Sequence, residues 1–143
     1  MKTPTMKQFI ENANIPAKLI RATIKQCGGW EEFTEHASDC VEHGANSGVF
    51  SGYIYYADTV AFTKCHKADI LAYADEMASD IGEGSASALI AGFNCLDLNV
   101  EGVAEAIYNP RSENRQEVFN AMAWFCVEEV SRSYVDYLEN IAE

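Results

Sequence analysis

A chain of 143 residues that is 48% hydrophobic and 22% charged can bury a core of its own, which argues against a disordered tail or a miniature held by disulfides or metal. No apolar run approaches the roughly 18 residues that a membrane span needs, and Met1 to Gln8 lack the apolar stretch of a signal peptide. The net charge of −12 is unevenly spread: residues 1–30 hold five basic residues against one acidic (net +4), and residues 31–143 hold five against 21 (net −16).

Thr5 reads as the N-cap of a short first helix with Phe9 and Ile10 on its apolar side. After a break at Asn14-Ile15-Pro16, Pro16 suits the first turn of a second helix. That helix turns Leu19, Ile20, Thr23 and Ile24 inward and Lys18, Arg21 and Lys25 outward, and Gly28-Gly29 ends it. A third helix is expected from Trp30 to about His43. It carries Trp30, Phe33, Ala37, Cys40 and Val41 at helical spacing, with Glu31, Glu32, Glu35, Asp39 and Glu42 on the opposite face. Gly44 to Gly48 is a loop signal. Residues 49–57 are the one strand-like stretch, expected as an extended aromatic segment or one arm of a small β-hairpin.

Asp58 can cap the next helix, whose pattern runs through Val60, Phe62, Ile70, Leu71, Tyr73, Ala74, Met77 and Ile81 to Gly82, with room for a break near Cys65-His66-Lys67. Gly84-Ser85 opens a short apolar helix through Leu89, Ile90 and Phe93. Asn99 caps another, with Val103, Ala106 and Ile107, that stops before Pro110. The longest helix is expected from Ser112 through Asn140, with Phe119, Met122, Ala123, Cys126, Val130, Tyr134, Tyr137 and Ile141 as its core stripe. The expected fold is mainly α: a single compact domain of about six helices, with a basic N-terminal segment at 1–29, an acidic body at 30–143 and a long C-terminal core helix.

Few residue groups could carry chemistry. His36, Cys40 and His43 fall at i, i+4 and i+7 on one helical face, a spacing at which imidazole and thiolate can hold zinc. Cys65 or His66 would have to complete the set. Cys40 also continues the stripe of Phe33 and Ala37, which accounts for it without metal, so no cofactor is expected. Cys27, Cys40, Cys65, Cys95 and Cys126 form no CxxC pair and read as reduced thiols of a cytoplasmic protein. Adjacent helical residues do not face each other, so Cys65 and His66 make a poor nucleophile and base. Gly82-Glu83-Gly84-Ser85 lacks the lysine of a phosphate-binding loop, and Glu83 would repel phosphate. The aromatic group Phe50, Tyr53, Tyr55, Tyr56 and Phe62 could stack bases, yet only Lys64 and Lys67 lie near it. Core packing explains most of it, leaving Tyr53, Tyr55 and Tyr56 as candidates for a partner or homodimer contact.

The acidic runs stand out more. One holds Glu31, Glu32, Glu35, Asp39 and Glu42; a second Asp69, Asp75, Glu76, Asp80 and Glu83; a third Glu113, Glu117, Glu128, Glu129, Asp136 and Glu139. A solvated surface accounts for such runs. The sharper reading is that carboxylates three to four residues apart, about 5 Å along a helix axis, imitate rows of phosphates. An acidic body repels nucleic acid itself and suits a basic protein that binds nucleic acid.

The stretch Gly52-Tyr-Ile-Tyr-Tyr-Ala-Asp-Thr-Val-Ala-Phe62, with Gly28-Gly29-Trp30 before it and the helix from Ala123-Trp124 to Tyr134 after it, resembles a family of small uncharacterised acidic proteins of bacteriophages and mobile genetic elements. The resemblance implies an inhibitor of host nucleic-acid machinery, of the anti-restriction or anti-CRISPR kind, and brings no catalytic residues with it. The leading expectation is therefore a non-enzymatic binding protein in the bacterial cytoplasm. It would engage a basic host protein through Glu31, Glu32, Glu35, Asp39, Glu42, Asp75, Glu76, Asp80 and Glu83. The alternatives are a metal- or small-molecule-binding module using His36, Cys40 and His43, and a self-associating adaptor using Tyr53 to Tyr56 or Trp124.

Overall fold

The computed structural model of the chain describes residues 4–35, 59–82, 84–92 and 96–142. Every regular element among them is an α-helix, in line with the composition. The strand-like residues 49–57, the second half of the helix expected to reach His43, the Asp58 cap and Phe93 lie outside the described residues. The chain packs as two units: a terminal unit of Met1–Ala57 with Cys126–Glu143, and a central unit of Asp58–Phe125.

In the terminal unit, α1 (Met6–Asn12) opens with a reciprocal cap. The Gln8 N–H donates to Thr5 Oγ1 at 3.1 Å, and the Thr5 N–H donates to Gln8 Oε1 at 2.8 Å, which satisfies amides that a helix start leaves open. α2 (Ala17–Gln26) begins one residue after Pro16, whose carbonyl accepts the Leu19 and Ile20 N–H groups at 3.0 and 3.1 Å. Leu19, Ile20, Thr23 and Ile24 are buried and Lys18, Arg21 and Lys25 lie on the outer side, as their spacing requires. The buried Thr23 hydroxyl donates to Leu19 O at 2.7 Å, so its burial leaves no orphaned group. The helix stops in a Schellman turn. The Gly29 N–H donates to Ile24 O at 3.0 Å, and the Gly28 N–H donates to Lys25 O at 3.2 Å. A further helical stretch runs over 30–35.

An aromatic cluster holds this unit together. Phe9 meets Tyr134 edge-on at 5.0 Å, Trp30 meets Tyr134 edge-on at 5.3 Å, and Phe33 lies 5.3 Å from the same ring. Edge-to-face pairs add about 0.5–1.5 kcal/mol beyond area burial. The basic N-terminal helices are thereby tied to the acidic C-terminal helix by apolar rings, and their charged faces remain on the outside.

In the central unit, α3 (Thr59–Ile81) is one uninterrupted helix, so the break allowed near Cys65-His66-Lys67 does not occur. None of these residues is a helix breaker. Thr63 anchors this part, its buried hydroxyl donating to Phe119 O at 2.8 Å. Thr59 and Asn120 side chains are also hydrogen-bonded. α4 (Ala86–Ala91) packs against α3 and against α5 (Val100–Tyr108). Asn99 caps α5 by accepting the Gly102 N–H at 2.7 Å.

α6 (Arg115–Ala142) contributes its first part to the central unit and its remainder to the terminal unit. It starts three residues later than Ser112, whose hydroxyl oxygen instead accepts the Asn114 N–H at 3.2 Å inside the preceding turn. Between 118 and 127 it is buried on almost every side: Val118, Phe119, Ala121, Met122, Ala123, Phe125, Cys126 and Val127. That is the signature of a core helix, not of a surface helix with one apolar stripe. Ile141, expected in the stripe, is 43% exposed because the helix runs out of the core near its end.

Candidate functional site

Glu31, Glu32 and Glu35 are exposed on the 30–35 stretch, and Asp75, Glu76 and Asp80 are exposed on α3. Asp39, Glu42 and Glu83, the aromatic candidates Tyr53, Tyr55 and Tyr56, and the metal candidates His36, Cys40 and His43 lie outside the described residues. Of the exposed acids, Asp75 also holds structure in place. It accepts the Ala86 N–H at 2.7 Å and so caps α4 together with Ser85, which accepts the Ala88 N–H at 3.2 Å.

Within the central unit the acids fall into pairs. Glu76 and Asp80 on α3, Glu101 and Glu105 on α5, and Glu113 and Glu117 at the start of α6 each stand four residues apart and are exposed. None of the six makes an ion pair among the described residues. On α3 and α5, four-residue spacing places both carboxylates on one side of the helix, about 6 Å apart along its axis, whereas Glu113 stands in the turn before α6. The Glu101–Glu105 pair is visible in the sequence through its spacing alone, yet it falls outside the three expected runs.

In the terminal unit, Glu31 and Glu35 repeat this arrangement, and two other acids are bridged instead. Arg132 bridges Glu128 at 3.2 Å and Glu129 at 3.0 Å on α6. Burial holds the Glu129 carboxyl above its ordinary range, with Glu128 adding to the rise and the Arg132 charge and hydrogen bond opposing it.

All four cations of residues 58–125 gather at one corner of the central unit: Lys64 and Lys67 on α3, Arg111 in the turn after α5, and Arg115 at the start of α6. Two of them hold the end of α5. Arg115 Nη1 donates to Ala106 O at 3.2 Å and to Ile107 O at 3.1 Å, and Lys67 Nζ donates to Ile107 O at 3.5 Å. Helix C-termini carry partial negative charge, so cations belong there. The Arg115 guanidinium also lies 4.4 Å from the Phe119 ring centre. Beside this corner is a groove of about 490 Å³ lined by Val60, Lys64, Pro110, Ser112, Glu113, Arg115, Gln116 and Phe119. Nothing in the linear pattern joins these residues, because α3 and α6 meet only through tertiary packing.

No group of three or more His, Cys, Asp and Glu side chains among the described residues could hold a metal ion. Cys65 is exposed, whereas Cys27 and Cys126 are buried. Burial, with Glu129 nearby, pushes the Cys126 thiol up to about 12, which keeps it protonated and unreactive near neutrality. Cys65 and His66 do not form a pair: among the described residues the buried Nδ1 of His66 has no hydrogen-bond partner, and its ring sits 5.1 Å from Phe62. No helix among the described residues is long and apolar enough to cross a membrane. No curated protein and no solved structure matches the chain significantly. A family model does match residues 6–140, nearly the whole chain, and by it the chain belongs to the family described as Domain of unknown function (DUF7222).

Proposed function

We propose that the chain is a non-enzymatic acidic binding protein that docks on a basic protein through helix-borne carboxylates, and that it is a phage- or mobile-element-encoded inhibitor of a host defence or nucleic-acid-processing protein. The observation that carries this reading is the pair Glu76–Asp80 on α3 and the pair Glu101–Glu105 on α5, with Glu113 and Glu117 at the entry to α6, all exposed and without ion pairs among the described residues. The like charges four apart within α3 and within α5 each oppose helix formation by about 0.2–0.5 kcal/mol. A Lys/Arg-rich surface would relieve both repulsions at once, so part of the binding free energy is stored in the free protein. The spacing of about 6 Å within a pair also suits cations arranged to hold successive phosphates. Such a partner would meet the acidic surface quickly and in a salt-dependent way.

The test compares the wild-type chain with a variant neutralised at all six positions (Glu76→Gln, Asp80→Asn, Glu101→Gln, Glu105→Gln, Glu113→Gln, Glu117→Gln). Immobilised wild type should retain a basic nucleic-acid enzyme from host lysate at low salt, release it at moderate salt and inhibit it in solution. The variant should do none of these. Equal retention and inhibition by both chains would sink the reading.

A further inference from the structure

We propose that the groove between α3 and the start of α6 binds a small organic anion with an apolar portion, such as an aryl or alkyl phosphate or carboxylate. The inference stands on the groove and is independent of the acidic pairs. Its volume of about 490 Å³ is that of a small-molecule site. Its position is electrostatically singular, since every Lys and Arg of residues 58–125 lies at this corner while the same span carries 11 acidic residues.

The α5 terminus explains only part of that concentration. Lys67 and the Nη1 group of Arg115 are used on α5 carbonyls. Lys64 lines the groove and makes no hydrogen bond or ion pair among the described residues, although Glu113 lines the same groove. Among the described residues Arg115 Nη2 and Nε have no partner, and the guanidinium is already fixed by two carbonyls and the Phe119 ring. A fixed guanidinium loses little freedom when it receives a planar anion. Ser112 accepts a backbone N–H through its oxygen, so its own O–H remains to donate. Val60 and Pro110 supply the apolar wall that a bare inorganic ion would leave unused, with the buried Phe119 ring behind the Arg115 guanidinium. Glu113 opposes a second anionic group on the ligand, which favours one anionic head joined to an uncharged apolar portion.

Titration of the full-length isotopically labelled chain, followed by amide shifts in NMR spectra, tests this with three probes: phenyl phosphate, inorganic phosphate and benzylamine. Phenyl phosphate should bind more tightly than inorganic phosphate, with shifts centred on 60–64 and 110–119, and benzylamine should leave those amides unmoved. Lys64→Gln should weaken phenyl phosphate by about fivefold, the size of one exposed charge contact. Glu113→Gln should strengthen it. Both positions are exposed, so neither change threatens the fold. The proposal fails if the two phosphates bind alike, if the shifts centre on Lys18, Arg21 and Lys25, if no shifts appear, or if the two variants leave affinity unchanged.

Discussion

The Asp75 carboxylate of α3 accepts the Ala86 N–H of α4 at 2.7 Å, which makes an acidic surface residue the cap of a neighbouring helix. Replacing it by alanine leaves an amide at the helix start unpaired. Asp75→Ala should lower stability by about 1 kcal/mol, and Asp75→Asn by less, since its amide oxygen still accepts. Urea unfolding midpoints of the three proteins give the comparison. An alanine variant as stable as wild type would show that Ser85 caps α4 alone.

Gly28 ends α2 at φ +99°, where a side chain is strained, and an added Cβ would lie 3.3 Å from Glu32 Cγ. Gly28→Ala should therefore cost about 1–2 kcal/mol. Gly29 has φ +105° with no atom within 4 Å of an added Cβ, so Gly29→Ala carries backbone strain without crowding and should cost less. Thermal unfolding of the two variants side by side checks the order.

Glu105→Lys turns the repelling Glu101 pair into an attracting one in the favourable orientation, acid before base. The variant should gain about 0.5–1 kcal/mol, the sum of a repulsion removed and an attraction gained. Added salt should stabilise the wild type more than the variant, because screening relieves repulsion only where it exists. If the acidic face binds a basic partner, the same change should weaken that binding. Stability and function would then move in opposite directions.

Burial raises the thiol of Cys126 from 9.0 and the phenol of Tyr134 from 10.0, each to about 12. For groups raised in the folded state, the contribution to stability is complete below the unfolded values and fades as pH climbs to the folded ones. Stability should thus fall between about pH 9 and 12. Below pH 10 the thiol is the first of the two to titrate in the unfolded chain, so Cys126→Ala should flatten the early part of that decline. Urea titrations at stepped pH measure it. At neutral pH iodoacetamide should label Cys65 well before Cys27 or Cys126, as peptide mapping would show.

Local chemistry is readable from the chain wherever one residue sets a helix end. Thr5, Ser85 and Asn99 cap helices as their side chains suggest, and Gly28-Gly29 stops α2. The periodic burial of Leu19, Ile20 and Ile24 is equally plain. What cannot be read depends on distant partners. The unbroken α3 is supported by the Thr63 bond to Phe119, 56 positions away, and Asp75 serves as a cap only because α4 folds back beside it. The cation corner is scattered over Lys64, Lys67, Arg111 and Arg115, a spread that no local window joins. The carboxylate pairs are legible as spacing, but their lack of ion pairs among the described residues is not.

The ring of Tyr134 receives Phe9, Trp30 and Phe33, residues that leave the ribosome about a hundred positions earlier. The first two helices therefore emerge without the surface that covers them and must wait for the segment around Tyr134. Residues 58–125 are contiguous and can mature in the interval. Synthesis therefore allows residues 58–125 to organise before the two separated stretches of the terminal unit can meet. A ribosome stalled before residue 134 would hold an N-terminal segment whose aromatic side chains are still unsheltered, and chaperones would find it there.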